Sequence, residues 1–321
     1  MHKKALSLFT LIALSISFLL ISGCQSISNT SQPPKSTAEQ ETAQQTSYPL
    51  TYTDDSRVES TLTTEPQRIV CLAPASTEIL YALGLESKLV AVTIYDNYPV
   101  GIQDKVEFVF EDSLNPNMEQ ILQLNPDLVV MGMHDEKLVS AIRSLKLPVV
   151  QLNPQSIAVT YQAIEKLGYL TNTQEQAQEL VQVMKEKELT IADKISSLKD
   201  SERVNVWIEV DPGLFTAGEG TFLNELIVKA GGINIAHDVK DWAQYSEEQI
   251  IAKNPQVILE TYSYYMENVK DTILARPAWQ SLDAIKNARV YTLDSDMVTR
   301  PGPRIIDGLA SIAQTLYPEL F

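Results

Sequence analysis

Apolar residues fall into three regimes along the chain. From Ala5 to Ile21 they are nearly continuous, broken only by serines and a threonine. From Cys24 to about Ser47 they almost vanish among Ser, Thr, Gln, Pro, Ala and Glu. Beyond that point short β-branched runs alternate with stretches of helical spacing, the pattern of strands and helices in turn. Ile69–Leu72 and Val204–Val210 read as strands, each followed by a turn bearing Pro74 or Pro212-Gly213. The helical stretches 77–84 and 224–231 then follow, starting at Thr77 and Asn224 and stopping at Gly84 and Gly231, where glycine accepts the left-handed backbone that closes a helix.

A longer echo sits between residues 117–130 and 246–259. Glu119, Gln120, Ile121, Asn125 and Pro126 recur at one constant offset as Glu248, Gln249, Ile250, Asn254 and Pro255. Asn117 and Ser246 are helix caps, with Gln120 and Gln249 placed to complete a capping box. The prolines end each short helix, and an apolar run then supplies a buried strand. From Thr173 to Leu198 the residues Ala177, Leu180, Val181, Met184, Ile191, Ile195 and Leu198 keep helical spacing with no Gly or Pro between them. Alternating strands and helices, stated twice, predict an α/β fold of two lobes with parallel sheets. The lobes span 56–172 and 200–321, joined by one long helix over 173–199, with the ligand cleft between them. A continuous helix is a stiff link, so hinge motion between the lobes is expected to be small.

The front of the chain carries an address. His2, Lys3 and Lys4 precede the apolar run, and Ile21-Ser22-Gly23-Cys24 closes it, as in a secretory signal peptide and too short for a comfortable membrane span. Residues 1–23 are read as the signal and 24–55 as a flexible tether without the apolar surface to fold. Cys24 after Ser-Gly resembles the lipobox of bacterial lipoproteins, which implies acylation there and an extracytoplasmic protein lipid-anchored to the cell membrane.

Composition narrows the class. The chain is 44% hydrophobic over 321 residues, enough for two lobes with real cores. Net charge is −16, more negative once Lys3 and Lys4 leave, which argues against nucleic acid or an anionic membrane surface as partner. With Cys24 acylated only Cys71 remains, so no internal disulfide forms; Cys71 lies in an apolar strand as a small buried hydrophobe. No Gly-x-Ser-x-Gly, phosphate-binding loop or His-Glu-x-x-His occurs, so no catalytic residue or metal site is assigned and no enzyme is expected.

The segments Arg68–Gly84, Val92–Pro99, Asn125–Val130, Phe215–Gly218, Ala230–Asn234 and Arg300–Arg304 together resemble the substrate-binding proteins of iron-chelate and cobalamin ABC importers, over nearly all of 66–318. The resemblance implies two lobes bridged by a helix, a monomer, a membrane permease as partner and no cofactor beyond the transported ligand. It leans toward vitamin B12-binding members. Tyr95 and Trp242 match their cleft aromatics, and Asp296 and Arg300 match their Asp-x-x-x-Arg element. Where those proteins have a tryptophan before Glu119, this chain offers Phe110. Phe215, at a predicted strand end, is a further aromatic for the cleft. Glu119 and Glu248 match the glutamates that meet permease arginines.

A corrin is a broad, largely apolar ring fringed with amides, and aromatic faces plus a few polar groups suit it. Cobalamin is therefore the expected ligand, with a ferric siderophore or haem as the alternative. Anionic siderophore complexes call for clustered cations, and here Arg300 and Arg304 are the obvious pair. Haem iron takes a side-chain ligand, for which Tyr262, Tyr264 or His134 is available, although His134 is expected as a solvated loop residue. Arg304 and Asp307, three apart on a helix, are alternatively a structural ion pair.

Overall fold

The computed structural model describes residues 45–321; the expected signal peptide and the expected lipidation of Cys24 lie outside the described residues. The folded body begins earlier than residue 56. Strands β1 (Leu50–Thr53) and β2 (Glu59–Leu62) form an antiparallel hairpin, with Leu50 and Tyr52 pointing inward. The Thr46 hydroxyl donates to the Tyr169 carbonyl at 2.7 Å and Tyr52 to that of Val149 at 2.9 Å. The two-residue alternation of Leu50 and Tyr52 is a strand signal, but it lasts only four residues and merges with the polar run before it.

In the first lobe, β3 (Ile69–Cys71), β4 (Leu89–Thr93), β5 (Phe108–Phe110), β6 (Leu128–Met131) and β7 (Val149–Gln151) make a parallel sheet of order β5-β4-β3-β6-β7. Every residue of β4 and β6 is buried, as a sheet covered on both faces requires. Helices α1 (Pro74–Ala82), α2 (Met118–Gln123) and α3 (Glu136–Ser144) provide crossovers. Then α4 (Ile157–Leu170) turns back into α5 (Gln174–Ile195), the 22-residue connecting helix, about 33 Å long at the helical rise. Gly168 lets α4 and α5 approach: a Cβ there would lie 2.5 Å from that of Ala177.

The second lobe repeats the plan. Strands β8 (Asn205–Glu209), β10 (Ile233–Asn234), β12 (Val257–Glu260) and β13 (Val290–Thr292) form a parallel sheet of order β10-β8-β12-β13, while β9 (Phe215–Ala217) and β11 (Trp242–Gln244) pair as a separate antiparallel ribbon. Around them lie α6 (Phe222–Lys229), α7 (Glu247–Lys253), α8 (Val269–Leu274), α9 (Asp283–Lys286), α10 (Ser295–Thr299) and α11 (Ile305–Leu316). Ala177, Val181, Met184, Ile191 and Ile195 of α5 are buried in one core with Leu167 of α4 and with Ile312 and Leu316 of α11. Apolar packing thus runs unbroken from one lobe to the other, and close-packed interiors transmit rather than absorb displacement.

The echoed segments fold alike. Asn117 accepts from the backbone N–H groups of Glu119 and Gln120, and Ser246 from that of Gln249, whose side chain returns to complete a capping box only in this second copy. Asn125 and Asn254 both take left-handed backbone, φ 47° and 41°, the conformation asparagine tolerates best after glycine. The prolines then release the chain into β6 and β12, the equivalent strands. Helix α1 starts three residues before Thr77 and α6 two before Asn224, because Pro74 occupies the first turn of one and Thr221 caps the other. Cys71 is fully buried, and burial pushes its thiol up to about 12.

Candidate ligand cleft

Ligand sites of parallel α/β sheets form outside the carboxyl ends of the strands, and a cavity lies there. Its volume is about 430 Å³, and the loops following β3, β5, β6 and β7 line one side while residues 220–222, 241–242 and 299–301 line the other. Trp242 is 56% exposed and lines the cavity. In the β9–β11 ribbon, Trp242 faces Ala217 and Gln244 faces Phe215, so Phe215 and Trp242 share one face of the ribbon. Phe215 is also exposed but is not among the residues that line the cavity, so of the two predicted second-lobe aromatics only Trp242 reaches it. Gly218 permits the tight return beneath it: its N–H donates to the Asp241 carbonyl at 2.8 Å, and a Cβ there would lie 2.4 Å from the Val239 carbonyl.

The first-lobe wall differs from expectation. Phe110 is 3% exposed and packs edge-on against Phe108 at 4.9 Å in the core beneath the sheet, so it does not reach the cleft. It is the last residue of β5, opposite Thr93, and its side chain turns into the core before the loop begins. Leu114 and Met133, 71% and 79% exposed, line the cavity instead. Both lie in the loops that follow β5 and β6, and nothing in the local sequence sets them apart from core residues. His134 also lines the cavity, half-buried, with its Nδ1 buried and without a hydrogen-bond partner among the described residues. It is thus a cleft residue rather than a solvated loop histidine.

Tyr95 is exposed in the loop after β4, and its carbonyl accepts from Arg300 Nη2 at 2.9 Å. Asp296 and Arg300 do not stand free. Arg300 donates to Asn97 Oδ1 at 2.8 Å, pairs with Asp296 at 2.7 Å and approaches Glu78 at 3.4 Å, while Asn97 Nδ2 donates to Asp296 at 2.6 Å. Arg304 forks onto both oxygens of Glu78, at 2.8 and 2.6 Å, and its guanidinium stacks on Tyr98. The alternative Arg304–Asp307 pair does not form; Asp307 takes Lys187, because the Glu78 carboxylate on α1 offers Arg304 a buried bidentate partner. These contacts clasp the lobes along one side of the cleft. Beside them Asp96 is almost wholly buried, accepting from the Thr93 N–H and hydroxyl at 2.7 and 2.6 Å; burial raises its carboxyl above the ordinary value of 3.8.

Of the tyrosines available to a haem iron, Tyr262 is buried and donates to Glu209, whereas Tyr264 is exposed. Glu119 and Glu248 are exposed in the first turns of α2 and α7. Each helix starts at the carboxyl edge of its sheet and descends to the next strand, so both carboxylates stand at the edge where the cleft opens. Its own backbone N–H and then the Ser246 hydroxyl hold the Glu248 carboxyl below its usual range.

Two parallel-sheet lobes, joined by one helix and facing each other across a largely apolar cleft, define a two-lobed solute-binding protein. The chain belongs to the periplasmic binding protein family, which matches residues 69–297. An uncharacterized ABC transporter substrate-binding lipoprotein of Bacillus subtilis is 36% identical over 318 residues, 96% of each chain. A possible iron-binding periplasmic solute-binding protein from Staphylococcus epidermidis superposes with a TM-score of 0.71 at 32% identity, over 79% of this chain and 100% of the other. The periplasmic vitamin B12-binding protein of Vibrio cholerae superposes with a TM-score of 0.67 at 26% identity, over 79% and 97%. The chain is a substrate-binding protein of an ABC transporter, working outside the cytoplasm with a small-molecule ligand and a permease as its partners, and not an enzyme.

Proposed function

We propose that this protein captures a corrinoid, cobalamin in the first instance, in the interlobe cleft and delivers it as a monomer to the permease, held to the membrane through an acylated Cys24. The observation that carries the ligand assignment is Trp242 on one lobe and the aliphatic Leu114 and Met133 on the other, all exposed and lining the cavity, with Phe215 on the same ribbon face as Trp242. A broad apolar ring is what such walls bury favourably. The likeness to a vitamin B12-binding protein supports it; the likeness to a possible iron-binding protein supports a ferric chelate as the second reading.

Titration calorimetry of the soluble body with cyanocobalamin, haem and a panel of ferric siderophores tests the choice. Cyanocobalamin is expected to bind tightest. Tight binding of haem or a siderophore, with no heat and no thermal shift from cyanocobalamin, refutes it. Glu119 and Glu248 are proposed to meet cationic side chains of the permease, one on each lobe, setting the docking register. The double variant E119A/E248A is expected to lose uptake while keeping ligand affinity; undiminished uptake removes the docking role.

A further inference from the structure

The cleft contains an arginine, yet its charge is cancelled within the protein. Arg300 is the one Lys or Arg side chain in the cavity lining among the described residues. It pairs with Asp296, and together with Arg304 it converges on Glu78 of the opposite lobe. Glu78 is 2% exposed and both arginine side chains are 15% exposed, so these charges are screened far less than surface pairs. At ion-pair distance the two guanidinium groups meet two carboxylates, Glu78 and Asp296, with Asp96 and Asp294 further off, and both Glu78 oxygens are engaged by Arg304.

We propose that Glu78 is a specificity-determining residue: by neutralising Arg300 and Arg304 across the lobes, it removes the positive potential that would draw anionic ligands and so selects uncharged ones. Rejecting a competitor by withholding the counter-charge it needs is one of the two routes to specificity, alongside better contacts to the chosen partner. An anionic siderophore or a haem with its propionates must give up water on entering, and two guanidinium groups already paired offer little in return. A corrin's fringe of neutral amides loses much less and still finds Arg300, which lines the cavity, as a hydrogen-bond donor. Glu78 thus reads charge through the arginines it holds, without needing to touch the ligand. The inference rests on the corrinoid reading for which ligand is favoured, but its charge logic is testable apart from that reading.

The test compares wild type with Glu78→Gln, which keeps the shape and leaves Asp296 as the one carboxylate in direct contact with the two guanidinium groups. The probes are haemin, anionic through its propionates at neutral pH, and neutral cyanocobalamin, each titrated at low and high salt. E78Q is expected to bind haemin at least about tenfold more tightly than wild type, equivalent to about 1.4 kcal/mol, with the gain shrinking as salt rises. The double variant E78Q/R304Q, which restores the balance, is expected to lose that gain; loss of a merely structural contact would not be reversed in this way. If E78Q fails to fold, Asp296→Asn unbalances the same cluster in the same direction and takes its place. Haemin affinity no higher in a folded E78Q or D296N, or a gain that persists in E78Q/R304Q, overturns the proposal. Failure of wild type to bind cyanocobalamin refutes the corrinoid reading alone, because the haemin comparison is read between variants.

Discussion

Replacing Trp242 with alanine removes the largest exposed side chain of the cleft, and its effect can be sized from the surface it offers. An aromatic side chain buries about 150–250 Å² when covered completely, and Trp242 is 56% exposed in the free protein. A ligand can therefore cover about 80–140 Å², which at about 25 cal/mol per Å² contributes about 2–3.5 kcal/mol. A flat guest meets one face of the indole, so about half of that, 1–1.8 kcal/mol, is the expected loss, a weakening of about five- to twentyfold. The association entropy is common to both proteins and cancels in the difference. Calorimetry with cyanocobalamin measures it directly. Fluorescence adds an independent readout: of the three tryptophans, Trp207 and Trp279 are fully buried, so acrylamide quenching reports chiefly on Trp242, and bound ligand is expected to shield it. Affinity within about twofold of wild type, in a W242A protein with unchanged circular dichroism, would refute the placement of the ligand against this ring.

Two further outcomes bear on the scaffold. Glu209 is fully buried, takes both guanidinium nitrogens of Arg276 at 2.7 and 2.6 Å, and accepts from Trp207 Nε1 at 3.1 Å. Glu209→Ala leaves a buried cation unpaired and is expected to cost about 3–5 kcal/mol in urea unfolding; a loss below about 1 kcal/mol would mean that water reaches Arg276 freely. For Asp96, burial raises the folded pKa above 3.8, so its contribution to stability is full below 3.8 and is lost as pH climbs through the raised value. Asp96→Asn, which removes the titration, is expected to gain on wild type across that window when urea midpoints are compared from acid to neutral pH. A gap independent of pH would show that Asp96 ionises as readily folded as unfolded.

Much of this scaffold was legible along the chain because its signals are local. The Asn-Pro pairs at 125–126 and 254–255 act within one helical turn, and the buried strands after them announce themselves by unbroken β-branched runs. The apolar stripe of α5 needed only periodicity, although the helix ends at Ile195 rather than 199. Trp242 and Arg300 were legible through a resemblance, and the structure places both at the cavity. Phe110 was misplaced because the last residue of a strand and the first of a loop differ in direction, not in composition. Leu114 and Met133, which take the wall instead, carry no mark distinguishing them from core residues until the loop is folded.

Chain periodicity, caps and stops by themselves determined two α/β halves and the helix between them, since hydrogen bonding and hydrophobic spacing over a few residues dictate helix and strand. The tertiary structure alone decided the character of the cleft. Glu78 meets Arg304 across 226 positions of sequence, and no local pattern reveals which carboxylate a guanidinium will find. Whether Arg300 is a free cation or a neutralised one depends on that meeting, because charge compensation acts through space while sequence records only order.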